Sequence, residues 1–410
     1  MAKNGLKPEI RFAGFTEDWE QRKLGGVTDR VQGNDGRMGL PTLTISAANG
    51  WLDQKDRFYD NIAGNEQKNY TLLKKGQLSY NHGNSKLAKY GVIFELQNYD
   101  EALVPRVYHS FKAKENVAPS FIEYLFATKR PDKELGKLIS SGARMDGLLN
   151  ISFDDFMSIE IPVPTIKEQI KISSFFRTLD NLITLHQRKC EKLVNFKKAM
   201  LEKMFPKDGT DVPKIRFAGF AGAWEQRELK DLCVDTYGGG TPRTVVTEYW
   251  NGNIAWIQSS DLAEDKLSNV VPKKSITKNG LKNSTTKLIP ENSIAIVTRV
   301  GVGKLAFMPY KYTTSQDFLS LSKLKVDNWF GTYSIWKKLQ SKLRSVQGTS
   351  IKGIPKKELL AMTIMIPTQK EEQAEIGDFF HNLDHLITLQ QRELEQLKQI
   401  KKSLLDKMFV

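Results

Sequence analysis

Two glycine-containing segments are the first places in the sequence where chemistry could occur. Residues 301–305 (Gly-Val-Gly-Lys-Leu) look like the end of a phosphate-binding loop, in which glycine amides and a lysine hold phosphate oxygens. Leu305 stands where such a loop needs a Ser or Thr hydroxyl for magnesium, which argues against nucleotide hydrolysis. Residues 238–242 (Gly-Gly-Gly-Thr-Pro) lack the spaced glycines of a dinucleotide-binding turn and predict a flexible surface turn.

Histidines and acidic residues form no recognisable catalytic pattern. His381 and His385 have the four-residue spacing of two zinc ligands on a helix, but Asn382 replaces the Glu of a zinc protease. The five histidines of the chain support no Ser-His-Asp arrangement, and residues 131–134 (Pro-Asp-Lys-Glu) are too short for a nuclease site. We therefore expect His381 and His385 on a solvated helix face, no metal site, no catalytic residues, and a binding protein.

The composition predicts a globular protein with a basic surface. The chain has 61 Lys and Arg against 47 Asp and Glu, a net charge of +14, which favours nucleic acid as a partner because bound cations release counterions from phosphates. Only Cys190 and Cys233 are present, which excludes a disulfide framework and fits the cytoplasm. No apolar run approaches the roughly 18 residues that a membrane helix needs.

The chain contains an internal repeat with a period of about half its length. An arm motif, Pro-x-Ile-Arg-Phe-Ala-Gly-Phe followed by Trp-Glu-Gln-Arg, occurs at residues 8–22 and again at 213–227. A helical motif, Phe-Phe-x-x-Leu-Asp-x-Leu-Ile-Thr-Leu, occurs at 175–185 and again at 379–389. The chain is therefore a duplicated unit of arm, variable region and helix.

The variable regions, roughly 20–160 and 225–365, contain short alternating runs that predict strands, and the stretch 119–128 predicts a helix. We predict an α+β fold in which two mixed α/β domains are joined by two long helices, pseudo-twofold symmetric and paired as an antiparallel coiled coil. The predicted boundaries are 1–160 for the first arm and domain, 161–205 for the central helix, 206–365 for the linker, second arm and second domain, and 366–410 for the C-terminal helix.

The segments 166–205 and 369–409 have apolar residues at heptad spacing over more than four repeats, which predicts a coiled coil. Each begins with a capping box, Thr165 to Glu168 and Thr368 to Glu371, and about 35 residues span roughly 50 Å. The residues expected in the coiled coil or against a partner are Phe175, Phe176, Leu179, Leu182, Ile183, His186, Leu193, Phe379, Phe380, Leu383, Leu386, Ile387, Gln390 and Leu397.

Polar residues interrupt this heptad pattern at equivalent positions of the two helices. His186 and Gln390 are equivalent, as are Lys189 and Glu393, which carry opposite charges. Such residues either set the register of the pair at some cost in stability or mark a merely solvated stretch.

The repeated arm and the repeated capped helix resemble those of the specificity (S, HsdS) subunits of type I restriction–modification systems. Segments of the second variable region are also typical of that family, namely 240–242 (Gly-Thr-Pro), 248–250 (Glu-Tyr-Trp), 254–257 (Ile-Ala-Trp-Ile) and 348–354 (Gly-Thr-Ser-Ile-Lys-Gly-Ile). The resemblance extends over the whole chain in its architecture and is loose in the variable regions.

The resemblance implies that each variable region is a target recognition domain reading one half of an asymmetric bipartite site on double-stranded DNA. The helices would set the spacing of the half-sites and dock two modification (methyltransferase) subunits, with two restriction subunits as optional further partners. Those partners would bring S-adenosylmethionine, and ATP and Mg for restriction, while this chain would hold no cofactor. A roughly 50 Å rod can match half-sites that lie about 34–36 Å apart.

Base readout requires polar side chains on loops that can enter a groove. The candidates are Ser46, Asn49, Asn81, His82, Asn84, Ser85, Lys86 and Arg144 in the first variable region and Thr241, Arg243, Gln258, Ser259, Arg299, Lys304, Ser315, Gln316, Ser350 and Lys352 in the second. Trp19 and Trp224 are expected to be core anchors of the arms.

Charge is unevenly divided between the two halves. Residues 1–160 carry 22 Lys and Arg against 21 Asp and Glu, whereas residues 206–365 carry 24 against 14. We expect the second domain to supply more phosphate contacts.

Two other functions compete with this interpretation. A free-standing DNA-binding regulator could also use duplicated recognition domains, but apolar positions beyond a two-helix seam, such as Phe176 and Phe380, favour partner helices. A cryptic nuclease is disfavoured because the sequence has no acidic metal cluster.

Overall fold

The computed structural model describes residues 6–55, 64–139, 147–345 and 353–410. The chain divides into two compact units, unit 1 from Met1–His186 with Glu393–Val410 and unit 2 from Gln187–Arg392. Each unit therefore contains parts of both long helices. The boundaries at 160, 205 and 365 stay a prediction, since this division falls inside the helices.

The described residues of unit 1 form one four-stranded antiparallel sheet and three strand pairs. Leu78 and Tyr80 are buried on one face of the large sheet, and the hydroxyl of Ser79 lies 2.7 Å from that of Ser110 on the other. The large sheet has the order β2 (Thr28–Val31), β9 (His109–Ala113), β6 (Leu78–Asn81), β7 (Val92–Glu95). The pairs are β1 (Glu20–Lys23) with β10 (Glu160–Val163), β3 (Leu43–Ser46) with β4 (Gly50–Asp53), and β5 (Thr71–Lys74) with β8 (Glu101–Val104).

The helices of unit 1 cover the large sheet. The predicted helix at 119–128 is confirmed, with Pro119 at its first position, where the missing amide proton costs nothing. Phe156 stacks on Tyr80 of β6 at 4.3 Å between ring centroids. The helices are α1 (Leu24–Val27), α2 (Pro119–Ala127), α3 (Asp132–Leu138), α4 (Phe153–Ser158) and the long α5 (Ile166–Lys203), which begins in unit 1.

Unit 2 repeats this plan with a different arrangement of small strands. Its four-stranded antiparallel sheet has the order β12 (Cys233–Gly238), β18 (Phe318–Leu324), β15 (Ser293–Val297), β16 (Leu305–Met308). A three-stranded sheet has the order β14 (Lys274–Ile276), β13 (Trp250–Ile257), β17 (Thr313–Thr314), and β11 (Glu225–Glu228) pairs with β19 (Thr363–Ile366). The helices are α6 (Lys278–Lys282), α7 (Asn328–Ser345), α8 (Lys356–Leu360) and the long α9 (Lys370–Lys407).

Helices α5 and α9 run antiparallel within each unit. In unit 1, Asp180 pairs with Lys401 at 2.5 Å and His186 with Glu393 at 3.5 Å, so rising numbers on α5 meet falling numbers on α9. In unit 2, Lys197 pairs with Asp384 at 2.5 Å, the same contact with the two helices exchanged. The predicted fold class, two mixed α/β domains with an antiparallel pair of long helices, is confirmed.

The buried stripe of these helices differs from the predicted heptad seam. Phe176 and Phe380, at e positions, are fully buried in the cores of their units, whereas Leu182 and Leu386, at d positions, are 42% and 50% exposed. Within each unit, the long helix that begins there packs against the domain of that unit as well as against the other helix. The buried stripe is therefore rotated from the a and d positions towards the e position. Leu179, Leu383, Ile387 and Gln390 are also buried, and Phe175, Ile183, His186, Leu193, Phe379 and Leu397 are half-buried.

The arms are held by equivalent ion pairs in the two units. Arg11 donates two hydrogen bonds to Glu168, at 2.6 and 2.7 Å, and Arg216 does the same to Glu372, at 2.7 Å each; both glutamates are fully buried. Glu168, expected to complete a capping box, thus has its carboxylate occupied by the arm. Bidentate geometry offsets the desolvation of such a pair.

The tryptophans of the arms are core anchors, as expected. Trp19 lies 6.1 Å from Phe409 and Trp224 lies 6.0 Å from Phe205, measured between ring centroids, and both indoles are nearly inaccessible to solvent. Along the described ranges, no helix combines the length and apolar character needed to cross a membrane.

Candidate nucleic-acid interface

The reading candidates of unit 2 lie on loops that meet at one end of its sheets. Backbone hydrogen bonds of 2.7–2.9 Å join these loops, from Gly240 N–H to Thr314 O, from Ser315 N–H to Ile257 O, and from Thr298 N–H to Asp317 O. Residues that are far apart in sequence are thereby brought together: Thr241, Gln258, Ser259, Arg299, Ser315 and Gln316. We name this set of loops, residues 239–246, 258–261, 298–304 and 315–317, loop cluster 2.

The loop between β15 and β16 presents Arg299 on a well-supported backbone. The hydroxyl and the amide of Thr298 both donate to the carbonyl of Asp317, at 2.9 and 2.7 Å. Gly301 and Gly303 have φ angles of +85° and +96°, which side-chain-bearing residues rarely adopt. Arg299 is exposed and forms no hydrogen bond or ion pair with the described residues, so its guanidinium, the group that pairs bidentately with guanine, is available.

Two glutamine amides of loop cluster 2 have their carbonyl oxygens engaged. The hydroxyl of Thr241 donates to Oε1 of Gln316 at 2.6 Å. The side chain of Gln258 accepts from the backbone of Asp261, whose carboxylate accepts from Gln258 N–H at 3.0 Å. The NH2 groups therefore remain as donors, suited to acceptors such as guanine O6 and N7 or thymine O4 in the major groove.

The glycine-rich turn at 238–242 is pinned by packing, and its prediction as a flexible turn is corrected. A Cβ on Gly239 would lie 1.8 Å from Ser315 O, and one on Gly240 would lie 2.3 Å from Thr285 Oγ1. The indole N–H groups of Trp256 and Trp250 donate to Gly240 O at 3.0 Å and to Arg243 O at 3.2 Å. Only glycine allows this close approach, and no sequence motif indicated it.

The reading candidates of unit 1 occupy equivalent loops, after β3 and between β6 and β7. Nδ2 of Asn81 donates to Ile45 O at 3.1 Å, and its Oδ1 accepts from Gly83 N–H at 3.1 Å. Asn84 N–H donates to Gly147 O at 3.0 Å. We name residues 46–49, 81–87 and 147–148 loop cluster 1. Asn81 thus holds the cluster together with its amide.

Two predicted readers are buried. His82 is 4% exposed, with Nδ1 2.7 Å from Leu149 O and Nε2 2.8 Å from Val107 O. Ser315 is also 4% exposed, and its hydroxyl lies 3.2 Å from Asp317 Oδ2. Both side chains are used inside the fold, which corrects their assignment to base readout.

The remaining candidates fall into three groups. Asn49, Asn84, Ser85, Lys86 and Arg243 are exposed, as are Thr241 and Gln316, whereas Ser46, Ser259 and Lys304 are half-buried. Arg144, Ser350 and Lys352 lie outside the described residues.

The two histidines with zinc-ligand spacing have different surroundings. His385 is exposed, as predicted. His381 instead stacks on Trp329, with ring centroids 3.9 Å apart, and burial lowers its pKa. Within the described part of the chain, no group of three His, Cys, Asp or Glu could hold a metal.

Comparison with known proteins identifies the family. Residues 16–195 and 222–399 match the family described as "Type I restriction modification DNA specificity domain". The chain belongs to this family. It carries two DNA specificity domains and is a type I restriction–modification specificity subunit, the non-catalytic component that recognises DNA.

Individual relatives agree with this assignment. The putative type I restriction enzyme MjaX specificity subunit of Methanocaldococcus jannaschii is 24% identical, over 98% of this chain and 95% of that protein. The EcoR124I/EcoR124II specificity subunit of Escherichia coli is 34% identical, over 37% of this chain and 40% of that protein.

Solved structures share the fold. The S subunit of a type I restriction–modification system from M. genitalium superposes with a TM-score of 0.62 at 12% identity, covering 98% of this chain and 99% of that chain. A chain from a study of complex assembly and conformational transition of the type I R-M system superposes with a TM-score of 0.52 at 16% identity, covering 95% and 97%.

Proposed function

We propose that loop clusters 1 and 2 each read one half of an asymmetric bipartite DNA site. The observation that carries this proposal is that the clusters are built at equivalent places in the two units from different side chains. Unit 2 presents Arg299 and the Thr241–Gln316 pair, whereas unit 1 presents Asn49, Asn84 and Lys86. Different donors and acceptors recognise different base pairs, so the two half-sites differ in sequence.

The long helices set the separation of the half-sites and dock two modification subunits, with up to two restriction subunits joining them. Each helix has 38 residues, roughly 57 Å at 1.5 Å per residue. Leu182 and Leu386, at equivalent positions, are 42% and 50% exposed, which supports one apolar docking site for each modification subunit. S-adenosylmethionine, and ATP with Mg for restriction, belong to those partners. Cytoplasmic action is consistent with two free cysteines, Cys190 and Cys233.

Long-read sequencing of adenine methylation tests the recognition proposal. Cells that produce the chain with its modification subunit should methylate one asymmetric bipartite motif, which cells without the chain leave unmodified. Replacing residues 225–365 by those of another specificity subunit should change one half of the motif only. A stable complex that methylates no chain-dependent motif would refute the proposal.

Docking is tested by substitutions on the helices. Leu182→Gln and Leu386→Gln should each reduce the number of bound modification subunits from two to one, as measured by native mass spectrometry. Thr184→Gln, a change at an exposed polar position of the same helix, is the matched control and should retain two. If all three variants bind two subunits, these leucines are not the docking sites.

A further inference from the structure

Unit 1 contains a cavity to which loop cluster 1 contributes only His82 and Leu148. Its volume is about 330 Å³, and it lies below loop cluster 1, where residues 81–82 and 148–150 run side by side. Its lining includes Arg30, Arg106, Gln32, Asn150 and the stacked rings of His82 and His109. We name it the arginine cavity.

The side chains that line this cavity and carry a permanent charge are both arginines, and the carboxylate of Asp155 accepts a hydrogen bond from the lining Ser152 at 2.6 Å. No Asp or Glu side chain of the described ranges lines it, although unit 1 as a whole is rich in acidic residues. The neighbouring Asp29 lies 3.7 Å from Lys112 and from Lys114. Positive potential is therefore concentrated at a place where the average charge of residues 1–160 is close to zero.

The two arginines are positioned but not neutralised. The guanidinium of Arg30 lies 4.3 Å above the ring of Phe153, a stacking contact that fixes its plane. Neither the Arg30 nor the Arg106 side chain forms a hydrogen bond or an ion pair with the described residues. Their donors therefore lack an acidic partner and are available to an anion.

The histidines form the floor of the cavity. The planes of their rings are within 9° of parallel, and the ring centroids are 4.8 Å apart. Burial, assisted by the nearby Arg30, lowers the pKa of His109 to about 4, so His109 is neutral near pH 7. The cavity thus owes its charge to arginines at its rim, above a buried aromatic floor.

We propose that the arginine cavity binds a phosphate group of the DNA backbone and anchors unit 1 beside the bases that loop cluster 1 reads. Arginine forks match phosphate oxygens, and amides such as Gln32 and Asn150 supply further donors. Contacts of this kind set the register of a protein on DNA without carrying sequence information. The inference rests on the proposed DNA recognition and adds a phosphate site to it.

Salt dependence of binding to a duplex of arbitrary sequence tests the site, because phosphate contacts need no target sequence. Each phosphate contact contributes about 0.9 to the slope of log K against log salt concentration. Arg30→Gln and Arg106→Gln should each reduce the slope of the full-length chain by about 1. Arg37→Gln, which removes a charge already paired with Asp35 and Glu101, is the control and should change the slope much less.

Inorganic phosphate distinguishes the DNA backbone from a free anion. Phosphate should shift the imidazole NMR signals of His82 and His109 in the wild-type chain, less so in Arg30→Gln, and duplex DNA should displace it. The inference would be overturned if the cavity variants had the same salt slope as Arg37→Gln. It would also be overturned if DNA did not displace the bound phosphate. If the wild-type chain and its complex bound no DNA at all, the proposed function itself would fail.

Discussion

A buried carboxyl of unit 1 makes the stability of that unit depend on pH. Oε2 of Glu123, on α2, accepts a hydrogen bond from Glu95 N–H at 2.8 Å. The pKa of Glu123 is raised to about 7, mainly by burial and also by the nearby carboxylates of Glu95 and Asp180, against the opposing effects of that hydrogen bond and of Arg177. The folded unit therefore favours the protonated carboxyl.

The sign and size of the effect follow from that pKa. Between the unfolded pKa of 4.5 and the folded value of about 7, the folded chain binds the extra proton, so stability falls as pH rises. Ionising Glu123 in the folded state costs about 3 kcal/mol once the pH exceeds 7. Because Glu123→Gln keeps the carbonyl acceptor and removes the charge, its advantage over the wild type should grow by about 2 kcal/mol between about pH 5.5 and about pH 8.5.

Native-state hydrogen exchange of the amides in β6 and β9 measures this difference in stability between the variant and the wild type. It reports the opening of unit 1 separately from that of unit 2. Glu115→Gln, a change at an exposed position that follows β9, is the control. Its stability relative to the wild type should be the same at both pH values. An effect of Glu123→Gln that is the same at both pH values, or a variant less stable than the wild type at high pH, would refute the reasoning.

Three further predictions concern the arms, the pinned turn and the charge of unit 2. Glu168→Gln should destabilise unit 1, and Glu372→Gln unit 2, by about 3–5 kcal/mol in denaturant unfolding, because each removes the carboxylate that neutralises a half-buried arginine; equal losses in both units from either change would contradict the assignment. Gly239→Ala should weaken binding to the half-site of unit 2 at least tenfold without affecting the other half-site, as measured with duplexes altered in one half, since a Cβ would collide with Ser315 O. Neutralising four exposed lysines in unit 2 should reduce the salt slope of DNA binding more than neutralising four in unit 1, and equal changes would show that net charge does not locate the phosphate contacts.

Local patterns were sufficient for the repeat, the long helices and the helix at 119–128. Periodicity and capping depend on residues close together in sequence, so these helices could be recognised before any contact was known. The duplicated arms and helices also indicated the family, because those motifs recur with almost unchanged spacing.

The readers of DNA were recognisable only as a class, polar residues on loops, since which of them are free depends on partners distant in sequence. Asn81 is engaged by Ile45 and Gly83, and His82 by carbonyls at residues 107 and 149, whereas Arg299 stays free. The arginine cavity likewise joins residues from five separate segments.

Sequence alone thus determined that the chain is a duplicated DNA-specificity protein with two long helices. Tertiary structure decided which face of each helix is buried, because the domain of each unit draws Phe176 and Phe380 inward and leaves Leu182 and Leu386 exposed. Heptad spacing shows which side of each helix is apolar. Only the fold brings the domain and the other helix against that side, and their contacts decide which apolar residues are buried.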